Sequence, residues 1–135
     1  MMNKTQELFD SALLAHSKAY APYSKFAVGA AIRSANGKIF SGCNVENISY
    51  PCGSCAEQSA ISAMINGGEN QISEILIIAD TQDPITPCGA CLQRIQEFST
   101  PQTLIHLANL KQIIKSESLN KFLPLAFSNS EVKHD

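Results

Sequence analysis

Pro51-Cys52-Gly53-Ser54-Cys55-Ala56-Glu57 has a near copy in Pro87-Cys88-Gly89-Ala90-Cys91, and the rest of the chain falls into place around the pair. Four cysteines in two Pro-Cys-Gly-x-Cys knuckles, the first followed by a carboxylate, ask for a metal. Four thiolates would close such a site and make it structural, whereas three would leave one position free for chemistry.

Each knuckle opens a helical pattern. From Cys55 to Asn66, the residues Ala56, Ala60, Ile61, Ala63 and Met64 share one face, and Gly67-Gly68 supplies a stop. Cys55 is thereby placed in the first turn, where the helix dipole and free backbone N–H groups favour a thiolate. Cys88 to Phe98 repeats the arrangement, with Leu92, Ile95 and Phe98 as its apolar stripe. Between the two helices, Ile72 to Ala79 is an aliphatic run with almost no polar interruption, which predicts a central strand covered on both faces and a parallel crossover. Two strands thus deliver two helix N-termini to one point.

Upstream, Thr5 to Ala19 carries apolar residues at three- and four-residue spacing and predicts an amphipathic helix, ended before Pro22. His16, on or beside that stripe, is given no functional role. Phe26 to Ile32 and Lys38 to Cys43 predict a hairpin, for which Asn36-Gly37 suits a two-residue turn. Asn44-Val45-Glu46-Asn47 then places polar side chains directly after a strand, where they either face a crevice or form a solvated Asx turn. Downstream, Thr103 to Leu107 and Gln112 to Ile114 predict two more strands, with His106 a partly buried member of the first. Leu119 to Phe127 reads as a short helix or irregular segment, and polar residues 128–135 as a frayed end.

With 135 residues and 44% hydrophobic content, the chain is expected to form one domain spanning residues 1–135. A formal charge of -2 with scattered lysines argues against a surface that tracks a nucleic acid polymer and favours a small ligand. No apolar run approaches the roughly 20 residues needed to span a bilayer, and the first residues lack a signal-peptide pattern. A cytoplasmic protein without membrane contact is therefore expected. Five cysteines in a reducing compartment are better metal ligands than disulfides.

Cys55 and Cys88 stand 33 residues apart, room for a helix, a strand and two loops, while Cys88 and Cys91 can chelate one ion from a single turn. Zinc suits such thiolates better than harder ions, although iron is also compatible. Glu57, two residues past Cys55, can reach the open position as a proton shuttle. The plainer role for Glu57 is a favourable charge at a helix N-terminus, worth about 0.3–1 kcal/mol. Spacing alone does not separate the two.

Cys55-Ala56-Glu57 followed by Pro87-Cys88-Gly89-Ala90-Cys91, and preceded by Asn44-Val45-Glu46-Asn47, resembles the small homotetrameric cytidine deaminases. The likeness runs in order from Tyr20-Ala21-Pro22-Tyr23-Ser24 through Glu97-Phe98 to Leu123-Pro124 and Phe127. It implies that Cys55, Cys88 and Cys91 bind one zinc per subunit. Glu57 would carry protons to N3 of the cytosine ring and then to the departing ammonia. Asn44 and Glu46 would hydrogen-bond the ribose, Phe26 would pack on the base, and the Ala56 backbone would hold the pyrimidine's amide edge. Phe127 would reach into a neighbouring subunit's site, so that the working unit is a homotetramer. The implied activity is hydrolytic deamination of cytidine and deoxycytidine in pyrimidine salvage. The expected fold is α/β, a three-layer αβα sandwich around a mixed five-stranded sheet.

Two departures stand out. Where the family usually has arginine after Cys-Ala-Glu and after the last cysteine, this chain has Gln58 and Leu92. Only Arg33 and Arg94 could supply arginine charge, and Arg94, three residues past Cys91, is the better placed. If the thiolates go uncompensated, Gln58→Arg should raise turnover at neutral pH. Cys52 is the second departure, since the family tends to be apolar there. It keeps open a non-enzymatic four-cysteine zinc module and a thiol oxidoreductase using Cys52-Gly53-Ser54-Cys55, while a deaminase of a modified cytosine nucleoside is the enzyme alternative. Cys43 reads as a small buried residue at a strand end.

Overall fold

A computed structural model describes residues 3–129 of the chain. Their elements run α1 (Lys4–His16), β1 (Val28–Ser34), β2 (Ile39–Cys43), a 3-10 turn (Tyr50–Cys52), α2 (Ala56–Asn66), β3 (Ile72–Ala79), α3 (Gly89–Glu97), β4 (Leu104–Ala108), β5 (Ile113–Ser118) and α4 (Leu119–Phe122). The five strands form one mixed sheet in the order β2-β1-β3-β4-β5, parallel between β3 and β4 and antiparallel elsewhere.

Every residue of β1 but the first is buried, as is nearly all of β3, because helices cover both faces of the sheet. On one face α2 and α3 pack Ala60, Ile61, Met64, Leu92 and Ile95 over Ile32, Ile75, Ile77, Ile105 and Leu107. On the other, Leu8, Phe9 and Ala12 of α1 pack over Ala31, Leu76, Ile78 and Ala108. This is the expected αβα sandwich.

Two glycines set how closely the helices approach. A Cβ at Gly29 would stand 2.4 Å from the Ala12 carbonyl of α1, and one at Gly42 would stand 2.4 Å from the Ala60 nitrogen of α2. Only glycine lets backbone lie on backbone at these points.

The expected parallel crossover is present, since α3 carries the chain from β3 to its parallel neighbour β4. β2 also points along β3 but lies two places away, with antiparallel β1 between them, so α2 crosses over β1. The N-termini of both helices therefore follow strand ends on the same side of the sheet.

Three sequence expectations need correction. The β1–β2 turn is a three-residue loop: the Ser34 amide donates to the Lys38 carbonyl at 2.8 Å, and the Gly37 amide to the Ser34 carbonyl at 2.9 Å. Gly37 has φ +86, whereas among the described residues only Lys25 is a non-glycine with positive φ. Asn36 thus does not adopt the left-handed geometry that a two-residue Asn-Gly turn requires, and a tight turn followed by a left-handed glycine replaces it. β5 is also longer than Gln112–Ile114, extending through Lys115-Ser116-Glu117-Ser118. It is an edge strand with one side open to water, so polar residues suit it. Finally, α1 ends at His16, short of Ala19, with Asn3 as its N-cap accepting the Gln6 amide at 2.7 Å. The expected fraying of residues 128–135 falls, from 130 onward, outside the described residues.

Candidate active site

Cys55 and Cys88 are the N-caps of α2 and α3, one residue ahead of the expected first turn. Each is extended in backbone, and each Sγ accepts the amide three residues on: Gln58 N to Cys55 and Cys91 N to Cys88, both at 3.4 Å. A thiol can cap a helix as a hydroxyl does, and the free N–H groups at that end favour its thiolate form. The two knuckles are thus read one position out of phase. The first caps with its second cysteine and presents Glu57 from the first turn. The second caps with its first cysteine and presents Cys91.

The donor atoms of Cys55, Glu57 and Cys91 all lie within 4.8 Å of one another, positioned to hold a metal ion. The Cys55 and Cys91 sulfurs are 2.7 Å apart, and both cysteines are free thiols. Cys88 is exposed and stands outside that group, on the same turn as Cys91. Cys52 is exposed too and outside that group, its Sγ hydrogen-bonded to the Ser49 hydroxyl at 3.4 Å. Cys43 is half-buried at the end of β2.

Charge in the cluster is shared unevenly. The hydrogen bond from the Cys91 thiol lowers Cys55 to about 6 against the cost of burial, helped by the Gln58 amide and the Arg94 guanidinium. Cys91 is pushed upward by holding that proton for Cys55 and by burial. Glu57, only 5% exposed, rises to about 7, chiefly because burial removes water from its carboxylate and secondly because Cys55 is negative beside it. A carboxyl group with a pKa near neutrality can both take and give a proton at working pH.

This donor set fits zinc. Soft sulfur donors at two helix N-termini, one of them already a thiolate near neutral pH, are what that ion selects.

Arg94 is the cation beside the cluster. Its Nη1 lies 3.7 Å from the Cys91 sulfur and 4.0 Å from that of Cys55. Gln58 contributes its backbone amide, while Leu92 is buried in the core between helix and sheet.

Of the expected substrate residues, Asn44 and Glu46 lie in a loop tied to Ser54, the residue before the α2 N-cap. Backbone hydrogen bonds pin residues 44–46 between Tyr20 and Ser54: Tyr20 N to Asn44 O at 3.0 Å, Glu46 N to Tyr20 O at 2.9 Å, and a reciprocal pair between Val45 and Ser54 at 2.9 Å. The Asn44 side chain accepts from Val28 N at 2.9 Å and donates to Phe26 O at 2.8 Å. Glu46 accepts from the Tyr23 and Ser24 amides, both at 3.0 Å, and from the Ser24 hydroxyl, contacts that hold its pKa below the usual carboxylate range. Both side chains thus brace the loop that presents Phe26, which is 38% exposed. Asn47 makes the Asx turn considered above, accepting the Ser49 amide at 2.8 Å.

A cleft of about 290 Å³ opens here, lined by Tyr23, Ser24, Glu46, Asn47, Tyr50 and Gly53. The rings of Tyr23 and Tyr50 stand 6.0 Å apart at 58° and form its aromatic wall. Nothing in the sequence pattern marks Tyr50 as a cleft residue. Tyr23 and Ser24 stand in the stretch of residues 20–24 that carries the family likeness, but nothing in their residue types assigns them to a cleft. Ala56 is fully buried at the start of α2, and Phe127 is largely exposed, its carbonyl accepting from the Gln93 side chain at 2.7 Å. No helix among the described residues is long and apolar enough to cross a membrane.

Known proteins are similar to this chain along nearly its whole length. Residues 2–107 match the family model described as the cytidine and deoxycytidylate deaminase zinc-binding region. A protein named cytidine deaminase from Sporosarcina psychrophila is 39% identical over 96% of this chain and 95% of its own length. Another so named, from Halalkalibacterium halodurans, is 37% identical over 94% and 96%. The crystal structure of a cytidine deaminase from Burkholderia pseudomallei superposes with a TM-score of 0.86 at 40% identity, covering 94% of this chain and 100% of that one.

Proposed function

The chain belongs to the family of cytidine and deoxycytidylate deaminases that share this zinc-binding region, and from that premise we propose that it hydrolyses cytidine and deoxycytidine to uridine and deoxyuridine, releasing ammonia. The observation that carries the proposal is Glu57: an almost fully buried carboxylate within 4.8 Å of two cysteine sulfurs, balanced near neutral pH.

Cys55, Cys88 and Cys91 would hold zinc, which when bound supplies the Lewis acidity that eases deprotonation of water near neutral pH. Glu57 accepts the proton of the attacking water and passes it to N3 of the ring. As the C–N bond at C4 breaks, Glu57 passes the remaining proton to the leaving amine, so that water and cytidine become uridine and ammonia. Burial keeps bulk water from the carboxylate and holds its proton affinity in that range.

Asn44 and Glu46 retain acceptor capacity for ribose hydroxyls, since a carboxylate has about four lone-pair directions and Glu46 uses three here. Phe26 stands exposed for the base, and the Ala56 backbone starts the helix beside it. The working unit is a homotetramer in which Phe127 completes a neighbour's site. Ile48, Tyr50, Leu125 and Phe127 are each at least 68% exposed, the kind of apolar display that marks a contact surface. The setting is pyrimidine salvage in the cytoplasm. Against a four-cysteine module stands Glu57, a buried carboxylate beside two of the sulfurs for which such a module has no use.

Purified protein mixed with cytidine should form uridine and ammonia with one zinc per chain. A Glu57→Gln protein that keeps its zinc and still deaminates at the native rate would remove this mechanism.

A further inference from the structure

Cys55, Cys88 and Cys91 as thiolates carry three negative charges against the two positive charges of zinc. The filled cluster would be left with a surplus negative charge beside a buried carboxylate, Glu57. Such a surplus opposes the ionisation of anything near it, so a fixed positive charge close to the sulfurs is needed if the site is to remain a Lewis acid.

The chain has two arginines. Arg33 is committed elsewhere: it is 8% exposed, its Nε donates to Glu74 at 3.2 Å, and its guanidinium reaches the Lys4 carbonyl and Glu7. It pairs with Glu74 in the β1–β3 ladder, whereas the site end of that ladder is Val28 opposite Ala79. Five residues of strand, about 17 Å, separate the two ends.

Arg94 lies in the last turn of α3, one turn past Cys91. Side chains on a helix lean toward its N-terminus, so a residue three positions on covers the turn before it. Its Nη1 accordingly reaches Cys91 at 3.7 Å and Cys55 at 4.0 Å, bridging the sulfurs of two helices. Gln58, which is uncharged, and Leu92, buried in the apolar core, cannot supply that charge.

We propose that Arg94 is the charge-compensating residue of the zinc cluster in this chain: a positioning residue that acts through the Cys55 and Cys91 sulfurs, touches no substrate, and supplies from one turn past Cys91 the charge that residues 58 and 92 lack. Its planar guanidinium can serve two sulfurs at once, which an ammonium serves less well. The inference rests on the zinc deaminase reading given above.

The test compares the native chain with Arg94→Ala, Arg94→Lys and the double variant Arg94→Ala/Gln58→Arg. Zinc affinity is measured by competition with a chromophoric chelator, and the thiolate-to-metal absorption band is recorded after substitution with Co2+. Partners of metal ligands typically contribute about 10–100-fold to metal affinity or activity. Arg94→Ala is expected to weaken zinc by about tenfold or more and to move the cobalt band to longer wavelength, because the sulfurs lose a stabilising donor. Arg94→Lys should retain part of the affinity, and Gln58→Arg should restore both readouts in the alanine background. A merely structural Arg94 would lower thermal stability while leaving zinc affinity and the band unchanged, and that result overturns the proposal. A failure of Gln58→Arg to restore either readout also overturns it, by showing that charge at the sulfurs is not the quantity lost. If the native chain binds no zinc and leaves cytidine intact, the underlying reading falls and this falls with it. If the native chain does both and Arg94→Ala matches it, this inference alone falls.

Discussion

Glu57→Gln should have two opposite effects, separable by removing the metal. In the loaded protein the amide keeps the shape of the carboxyl but cannot relay a proton, so kcat should drop by at least the 10²–10⁴-fold typical of a lost general acid-base group. In chelator-treated protein the same change should stabilise the fold. The carboxyl rises from 4.5 to about 7 on folding, mainly through burial, and it is only 5% exposed. A shift of that size corresponds to about 3 kcal/mol. Because the folded pKa is the raised one, the native chain has its full stability below about pH 4.5 and loses it progressively as pH rises toward about 7. Unfolding in urea should therefore show Glu57→Gln more stable than the native chain by up to about 3 kcal/mol near pH 8, against about 1 kcal/mol near pH 5. The assay is a pair of metal-free urea titrations at each pH, beside turnover of the zinc-loaded proteins. A stability difference that does not change with pH would refute the burial argument. Normal turnover with zinc retained would refute the proton relay.

The remaining predictions follow from the surrounding contacts. Asn44→Ala removes the links to Val28 N and Phe26 O; at about 1 kcal/mol per hydrogen bond it should lower stability by about 2 kcal/mol, seen in urea midpoints, and raise KM more than it lowers kcat. Gly42→Ala drives a Cβ to 2.4 Å from the Ala60 backbone, so it should cost at least the 1–3 kcal/mol of an overpacked core and disturb the helix that carries Glu57. Cys52→Ser should keep one zinc per chain by metal analysis, since Cys52 is turned to Ser49; loss of zinc would favour the four-cysteine module. Phe127→Ala should raise KM for cytidine while leaving zinc content intact, and sedimentation of the native chain should give the mass of four chains.

What could be read in the sequence was what local chemistry determines. The aliphatic run of β3 allowed only a buried central strand, and the spacing of Cys55, Glu57, Cys88 and Cys91 relative to two helix starts is a matter of one or two turns. The far half of β5 is invisible to the pattern because Lys115-Ser116-Glu117-Ser118 has no apolar alternation, and an edge strand needs none. The hairpin turn departs from its expected form because Asn-Gly permits a left-handed pair without requiring it. The bracing of the loop by Asn44 and Glu46 was out of reach for a different reason. Their partners at Val28, Phe26, Tyr23 and Ser24 are 16–23 residues away in sequence and meet them only once residues 44–46 are pinned between Tyr20 and Ser54. A residue type can suggest a hydrogen bond, but only tertiary pairing selects its partner.

Gln58 shows where sequence pattern and physical requirement part. From the pattern, a missing arginine at that position suggested an uncompensated cluster and a gain in turnover from Gln58→Arg. The requirement, however, is positive charge near two sulfurs, and it can be met from any surface that reaches them. Arg94 meets it from α3 at 3.7 and 4.0 Å, and the same position would serve no purpose on a helix turned by a residue or two. With that charge in place, Gln58→Arg in the otherwise native chain has little left to offset, and a second cation beside the sulfurs would compete with the first. The gain expected from the pattern should therefore emerge only when Arg94 is removed, which ties the role of one residue to the absence of the other.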